Sequence, residues 1–170
     1  MAGTRDRPDH GPGRSPGRSC APPEPVPAGR GRRVGEQDRE QLFRWHREFA
    51  ADVGEDVTID ADTWADTRFG DKHYTFWETP DGTPVSMAGM TSPVGGMVRV
   101  DPVYTPAHLR GRGYAGAVTV EVTRAALAAG AKEVALYANP ANATSNALYQ
   151  RIGYVPLTEW AVYDFAAVRA

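Results

Sequence analysis

Residues 104–116 read YTPAHLRGRGYAG, two arginines alternating with glycines just after a strand-like run and just before a helix-like one. The crevice at the carboxyl end of a strand is where ligands dock in open α/β architectures. The first turn of a helix carries unpaired N–H groups and about half a positive charge. Gly111 and Gly113 let an anion approach those groups without meeting a Cβ, and Arg110 and Arg112 add charge and forked donors. The stretch therefore predicts a phosphate site, most naturally for a pyrophosphate.

Spacing separates this loop from others with the same physics. A nucleotide triphosphate loop needs a Gly-Lys-Ser/Thr ending, which is missing here. The dinucleotide pattern G-x-G-x-x-G is present as Gly111, Gly113 and Gly116, yet a proline-containing loop precedes it. Asn139, not an acid, stands at the end of the next strand. An RNA-binding Arg-Gly tract would be repeated, whereas this one is short and flanked by structure.

Outward from the loop, MVRVDPVYT (97–105) reads as a strand in which Pro102, unable to donate to a ladder, marks a bulge or a lapse in pairing. Val118, Val122, Ala125 and Ala129 set one face of a helix that Gly130 stops. VALYA (134–138) is a continuous apolar run suited to a parallel strand buried on both faces. ANATSNALYQRIG (141–153) is a second helix, and VPLTEWAVYDF (155–165) reads as one or two closing strands. Upstream, HYTFWE (73–78) and PVSMAGM (84–90) form a hairpin around Pro-Asp-Gly, and SPVGG (92–96) turns the chain again. Leu42, Trp45, Phe49 and Val53 share a face of a first helix ending near Gly54; a short helix is expected around Trp64. The order predicts a mixed α/β fold of the α+β type, mostly antiparallel, with one parallel strand–helix–strand crossover.

With 170 residues, 41% hydrophobic and 24% charged, the chain suits one soluble domain. A net charge of −2 argues against a general polyanion binder, so no nucleic-acid partner is expected. No run nears the roughly 20 apolar residues of a membrane helix, and no signal-peptide core is evident, so a cytoplasmic protein is expected. Cys20 is the single cysteine, which leaves no disulfide framework and no thiolate metal cluster. Residues 1–35 hold seven prolines, seven glycines and seven arginines against three acids. With little to bury, they read as a disordered, solvated tail ahead of a domain at 36–170.

A second pattern follows the loop at a fixed distance. Arg110, Gly113 and Ala115 fit Q/R-x-x-G-x-G/A; Asn142, Ser145, Leu148, Tyr149, Gly153 and Tyr154 fit N-x-x-A/S-x-x-L-Y-x-x-x-G-F/Y. Together they resemble the GNAT superfamily of acetyl-CoA-dependent N-acetyltransferases, from about residue 37 onward. VYTPAHLRGRGYA and ANATSNALYQRIGY look most similar to the branch of the glycine N-acyltransferases.

The resemblance implies a strand pair that splays apart to admit pantetheine, lined by backbone of Val103, Tyr104 and Thr105. It implies a diphosphate cradle at Arg110, Gly111, Arg112, Gly113, Tyr114, Ala115 and Gly116, and a pantetheine contact from Asn142. Acetyl-CoA would be the acyl donor, without a metal, and an amine the acceptor. Tyr149 would protonate the leaving thiolate, as a phenol with a pKa near 10 can while neutral at pH 7. Asn142 and Tyr149 lie seven residues apart, about 10 Å along one helix face.

Glu78, Asp101, His46 and His73 are the candidate bases, each with an ordinary alternative: Glu78 solvated at a turn, Asp101 capping the bulge, His46 packed or on the surface, His73 opening a strand. Water serves otherwise, and His108 reads as a solvent-facing turn residue. Trp45, Phe49, Trp64, Tyr74 and Trp77 sit at periodic apolar positions, so they read as core rather than as an acceptor pocket. The GNAT resemblance also leads one to expect an apolar first strand, and GRGRRVGEQD (29–38) offers only Val34, so that strand is expected to be absent or degenerate. This keeps two other readings in view, a non-catalytic acyl-CoA-binding module and a dinucleotide-binding domain.

Overall fold

The computed structural model describes residues 13–16, 21, 24–54 and 72–158. In chain order the elements are β1 (Gly13–Pro16), β2 (Arg30–Arg33), α1 (Arg39–Val53), β3 (Lys72–Glu78), β4 (Pro84–Thr91), β5 (Met97–Tyr104), α2 (Tyr114–Ala128), β6 (Glu133–Tyr137), α3 (Ala143–Arg151) and β7 (Tyr154–Thr158). Among the described residues seven strands form one sheet in the order β2-β3-β4-β5-β6-β1-β7, and of these only β5 and β6 pair in parallel, joined by α2 as the crossover. This is the mixed, mostly antiparallel arrangement expected. The helix expected around Trp64, with Trp64 itself, and the closing strand beyond Thr158 lie outside the described residues.

Alternation along the strands divides the core. Tyr74, Phe76, Met87 and Tyr104 pack with Leu42 and Trp45 of α1. Trp77, Val98, Val100, Val134 and Leu136 pack with Ala117, Val118 and Val122 of α2, joined by Tyr149, Ile152 and Tyr154. Trp45, Tyr74 and Trp77 are buried and Phe49 packs against the cluster of Trp45 and Tyr74, in keeping with a core assignment. The hairpin closes where proposed, with Thr79 N–H donating to Thr83 O (3.0 Å) and Gly82 taking φ +85°.

Three expectations change. The buried face of α2 runs through Ala117, Val118, Val120, Val122 and Ala126, while Ala125 and Ala129 are exposed. In β6, Val134 and Leu136 are buried but Tyr137 is 42% exposed, so the strand covers one face only.

The third change is at the N-terminus, where the tail reading fails for two segments. Arg30–Arg33 is the missing first strand, paired antiparallel with β3 (Arg32↔Phe76). It needs no apolar face because it is an edge strand, where charged side chains are tolerated, and because its arginines are anchored. Arg32 donates to Glu78 Oε1 (2.5 Å) and to both Asp38 oxygens (2.7 and 2.8 Å), its guanidinium 5.8 Å from the Phe76 ring centre. Gly13–Pro16 pairs with β6 on one side and β7 on the other, held by ladder hydrogen bonds.

Candidate functional site

Pairing between β5 and β6 runs from Met97↔Glu133 to Val100↔Leu136 and goes no further. On its other side β5 continues against β4, with Met90↔Val100 followed by Ala88↔Val103. Two residues, Asp101 and Pro102, therefore oppose the single Gly89, which is a bulge at the position Pro102 marked. The extra residue shifts the side-chain phase, so that Val103 joins Val98 and Val100 on the α2 side. Gly89 is required here: a Cβ would stand 2.7 Å from Asp101 O and from Tyr74. The strands thus part where the bulge bends β5. Ser86 Oγ donates to Tyr104 O (3.0 Å), and Arg110 Nε donates to Thr105 O (2.9 Å). Each carbonyl keeps a second lone pair.

The chain leaves the opening through a short 3₁₀ turn, Ala107–Leu109, and enters α2 at Tyr114. Gly111 and Gly113 adopt φ +76° and +81°, the left-handed region glycine favours. The first N–H of the helix to find an acceptor is that of Ala117, which donates to Gly113 O (3.0 Å). Among the described residues no protein acceptor is assigned to the N–H groups of Gly111, Arg112, Gly113, Tyr114, Ala115 or Gly116. Six consecutive donors at a helix start make a concavity suited to an anion. Arg112 is held only by a long contact from Nη2 to His108 O (3.4 Å), and both side chains are exposed. Arg110 does more local work than expected: besides Thr105 O it binds Asp52 of α1, and its guanidinium lies 6.0 Å from the Tyr104 ring centre. It braces the loop against α1 with about half its side chain exposed.

Asn142 is the N-cap of α3, its Oδ1 accepting from Ser145 N–H (3.0 Å). Tyr149 is the buried residue of that helix, edge-on to Tyr154 with centroids 6.1 Å apart. It shares a cluster with Val100 and Leu136, the last paired residues before the strands part.

Comparison with known proteins follows this geometry. The family model of the FR47-like protein matches residues 86–161, from β4 through β7. No curated protein matches the sequence. Among solved structures, one named as a GNAT-family acetyltransferase from Novosphingobium aromaticivorans is similar at 22% identity and TM-score 0.67. It covers 92% of this chain, which spans 64% of that structure's length. AAC(6')-Iy in complex with a CoA bisubstrate analogue is similar at 18% identity and TM-score 0.63, covering 82% of this chain and 98% of its own. An acetyltransferase with acetyl-CoA from Clostridium acetobutylicum matches at 17% identity and TM-score 0.62, covering 79% of this chain and 95% of its own. The chain has the GNAT fold.

Within the GNAT frame, the candidate bases scatter. Glu78 is not solvated: it is 4% exposed and paired with Arg32 and Arg30. His46 is buried edge-on to Tyr74, at 5.1 Å, and exposed His73 interacts through Nδ1 with Arg33 (3.0 Å). Asp101 alone stands where the strands part, and its carboxylate accepts from Lys72 Nζ (2.7 Å). Among the described residues no cluster of His, Cys, Asp or Glu is arranged to hold a metal, and no helix is long and apolar enough to cross a membrane.

Sequence reasoning missed three parts of this candidate site. Glu48 accepts from the Tyr104 hydroxyl (2.9 Å), and Asp52, one turn on, takes Arg110. Burial and the Glu48 carboxylate push the Tyr104 phenol up to about 12. Spacing i,i+4 on the polar face of α1 was the available signal, and it does not name a partner 56 residues away. Ser86 and Thr105 share a buried hydroxyl pair (2.8 Å). The third part is Pro27, which lies beside Gly113.

Proposed function

We infer that the protein transfers an acetyl or other short acyl group from acyl-CoA to an amine. One coincidence carries this reading: at the same end of the sheet, β5 and β6 stop pairing after Val100 and Leu136 while the loop into α2 and its first turn offer N–H groups from Gly111 to Gly116 with no protein acceptor assigned among the described residues. An extended thioester arm with a diphosphate at its far end matches such a slot-and-cradle pair. Complexes of GNAT-fold neighbours with acetyl-CoA and a CoA analogue agree with it.

The cradle from Arg110 to Gly116 would hold the diphosphate, backbone of Val103, Tyr104 and Thr105 would line the arm, and Asn142 would meet it at the start of α3. CoA supplies the activated thioester. The amine attacks the thioester carbonyl carbon and gives up its surplus proton to water, the C–S bond breaks, and the Tyr149 hydroxyl gives its proton to the departing thiolate and regains one from solvent. Arg110 fixes the loop relative to β5 and α1.

The reason for suspecting an inactive remnant, a lost first strand, is removed by Arg30–Arg33. The mostly antiparallel sheet likewise departs from the parallel sheet to which the dinucleotide pattern belongs.

Thermal shift and thiol release test the reading together. Acetyl-CoA is expected to raise Tm and NAD to leave it unchanged. Gly111→Asp puts a carboxylate into open space in a backbone conformation Asp tolerates, so the fold should survive while the acetyl-CoA shift disappears. Tyr149→Phe should keep the shift and lose about 10²-fold in turnover. An acetyl-CoA shift with no thiol released across an amine panel would replace the enzyme by a CoA-binding module.

A further inference from the structure

Pro25 and Pro27 occupy space beside the cradle. A Cβ built on Gly113 would stand 3.6 Å from Cδ and 3.7 Å from Cγ of Pro27, and 3.9 Å from Pro25 O. On Gly111 a Cβ would meet nothing within 4 Å. The loop faces open space at Gly111 and has Pro27 as its neighbour at Gly113.

The chain that follows this segment is anchored. Gly29, at φ +136°, passes so close to the end of β3 that a Cβ there would stand 2.1 Å from Glu78 O and 2.7 Å from Trp77 Nε1. A residue later β2 begins its pairing with β3, and a Cβ on Gly31 would press against Glu121 of α2 at 2.4 Å. Pro27 thus sits three residues from a strand locked by the Arg32 bridges to Glu78 and Asp38.

Its chemistry opposes an anion. Pro25 and Pro27 have no N–H to donate, and what they bring beside Gly113 is the Pro27 ring methylenes and the Pro25 carbonyl oxygen, set against a cradle made of donors. A wall built to hold a diphosphate would carry the opposite set.

We propose that Glu24–Pro27 is an autoinhibitory strap: it rests on the Gly113 side of the phosphate loop and must swing off, hinging at Ala28, before a CoA diphosphate can reach the full set of N–H groups. This rests on the acyl-CoA reading above. Strap closure lowers apparent affinity by the fraction of molecules in which the loop is open.

The test uses the full chain with Pro27→Gly, which removes the ring over Gly113, and Val26→Gly, which loosens the adjacent backbone and leaves that ring in place; Val26 is 52% exposed. Calorimetry with CoA is expected to give a Kd roughly two- to fivefold lower for Pro27→Gly and no comparable gain for Val26→Gly. Amide exchange at Gly111–Gly116 without ligand should rise in Pro27→Gly alone. Equal CoA affinity in wild type and Pro27→Gly would overturn the strap and leave the acyl-CoA reading standing. Weaker binding by Pro27→Gly would overturn it too, making the segment a wall. Failure of both proteins to bind CoA would overturn the acyl-CoA reading, and the strap with it.

Discussion

Arg32 shows how a residue without an apolar neighbour in sequence becomes structural. It faces Glu78, whose side chain is 5% exposed, and Asp38, whose Oδ2 also accepts from Gly35 N–H (2.9 Å). Arg32→Met should cost roughly 2–3 kcal/mol, less than a wholly buried pair because Arg32 is 28% exposed and Arg30 stays 3.9 Å from Glu78. The hydrogen bond from Arg32 holds the Asp38 carboxyl below the usual range, so that stabilisation is complete above the ordinary carboxylate pKa and is lost as pH falls through the lowered value. The Tm gap between wild type and Arg32→Met should therefore narrow below about pH 4 in calorimetric scans. Tyr104 works in the other direction. Its phenol, raised to about 12, keeps its proton in the folded state where the unfolded chain loses it. Its contribution is full below about pH 10 and fades as pH climbs through the raised value. Tyr104→Phe should remove that alkaline dependence of Tm. Gly29 and Gly82 make a matched pair, both at positive φ. Gly82→Ala meets nothing within 4 Å and should cost about 1 kcal/mol, whereas Gly29→Ala collides with Glu78 O and should cost clearly more in denaturant titration.

At the scale of elements, legibility follows the reach of the interaction. The hairpin, the bulge at Pro102 and the stops at Gly54 and Gly130 were readable because turn chemistry is local. So was the start of α3, where Asn142→Ala should lower stability by about 1 kcal/mol through loss of the cap to Ser145. The face of α2 was misread because alanines and valines occupy most of its positions, and period alone cannot choose between Ala125 and Ala126. The first strand was invisible for a different reason. Arg-Gly-Arg-Arg carries no strand signal until Glu78, 46 residues beyond Arg32, supplies its partner. The loop itself was legible as a glycine–arginine turn before a helix. The attachment of Arg110 to Asp52, 58 residues earlier, and the approach of Pro27 to Gly113 were not, since both depend on how the sheet brings distant segments to one end.

Taken whole, the described molecule places its two helical layers on a sheet interrupted beyond the parallel pairing of β5 with β6. Strands that stop pairing past Val100 and Leu136 leave peptide groups without a ladder partner inside the sheet, where the usual protection of an outer strand by lysine or a covering loop is hard to supply. Pro102 supplies part of it, since a residue lacking N–H gives an incoming chain one anchor fewer. The consequence concerns solubility as much as chemistry. If CoA fills this gap as proposed, a chain kept without it carries an interior seam open to foreign strands, so purification and storage in the presence of CoA should suppress the light scattering that accumulates in its absence.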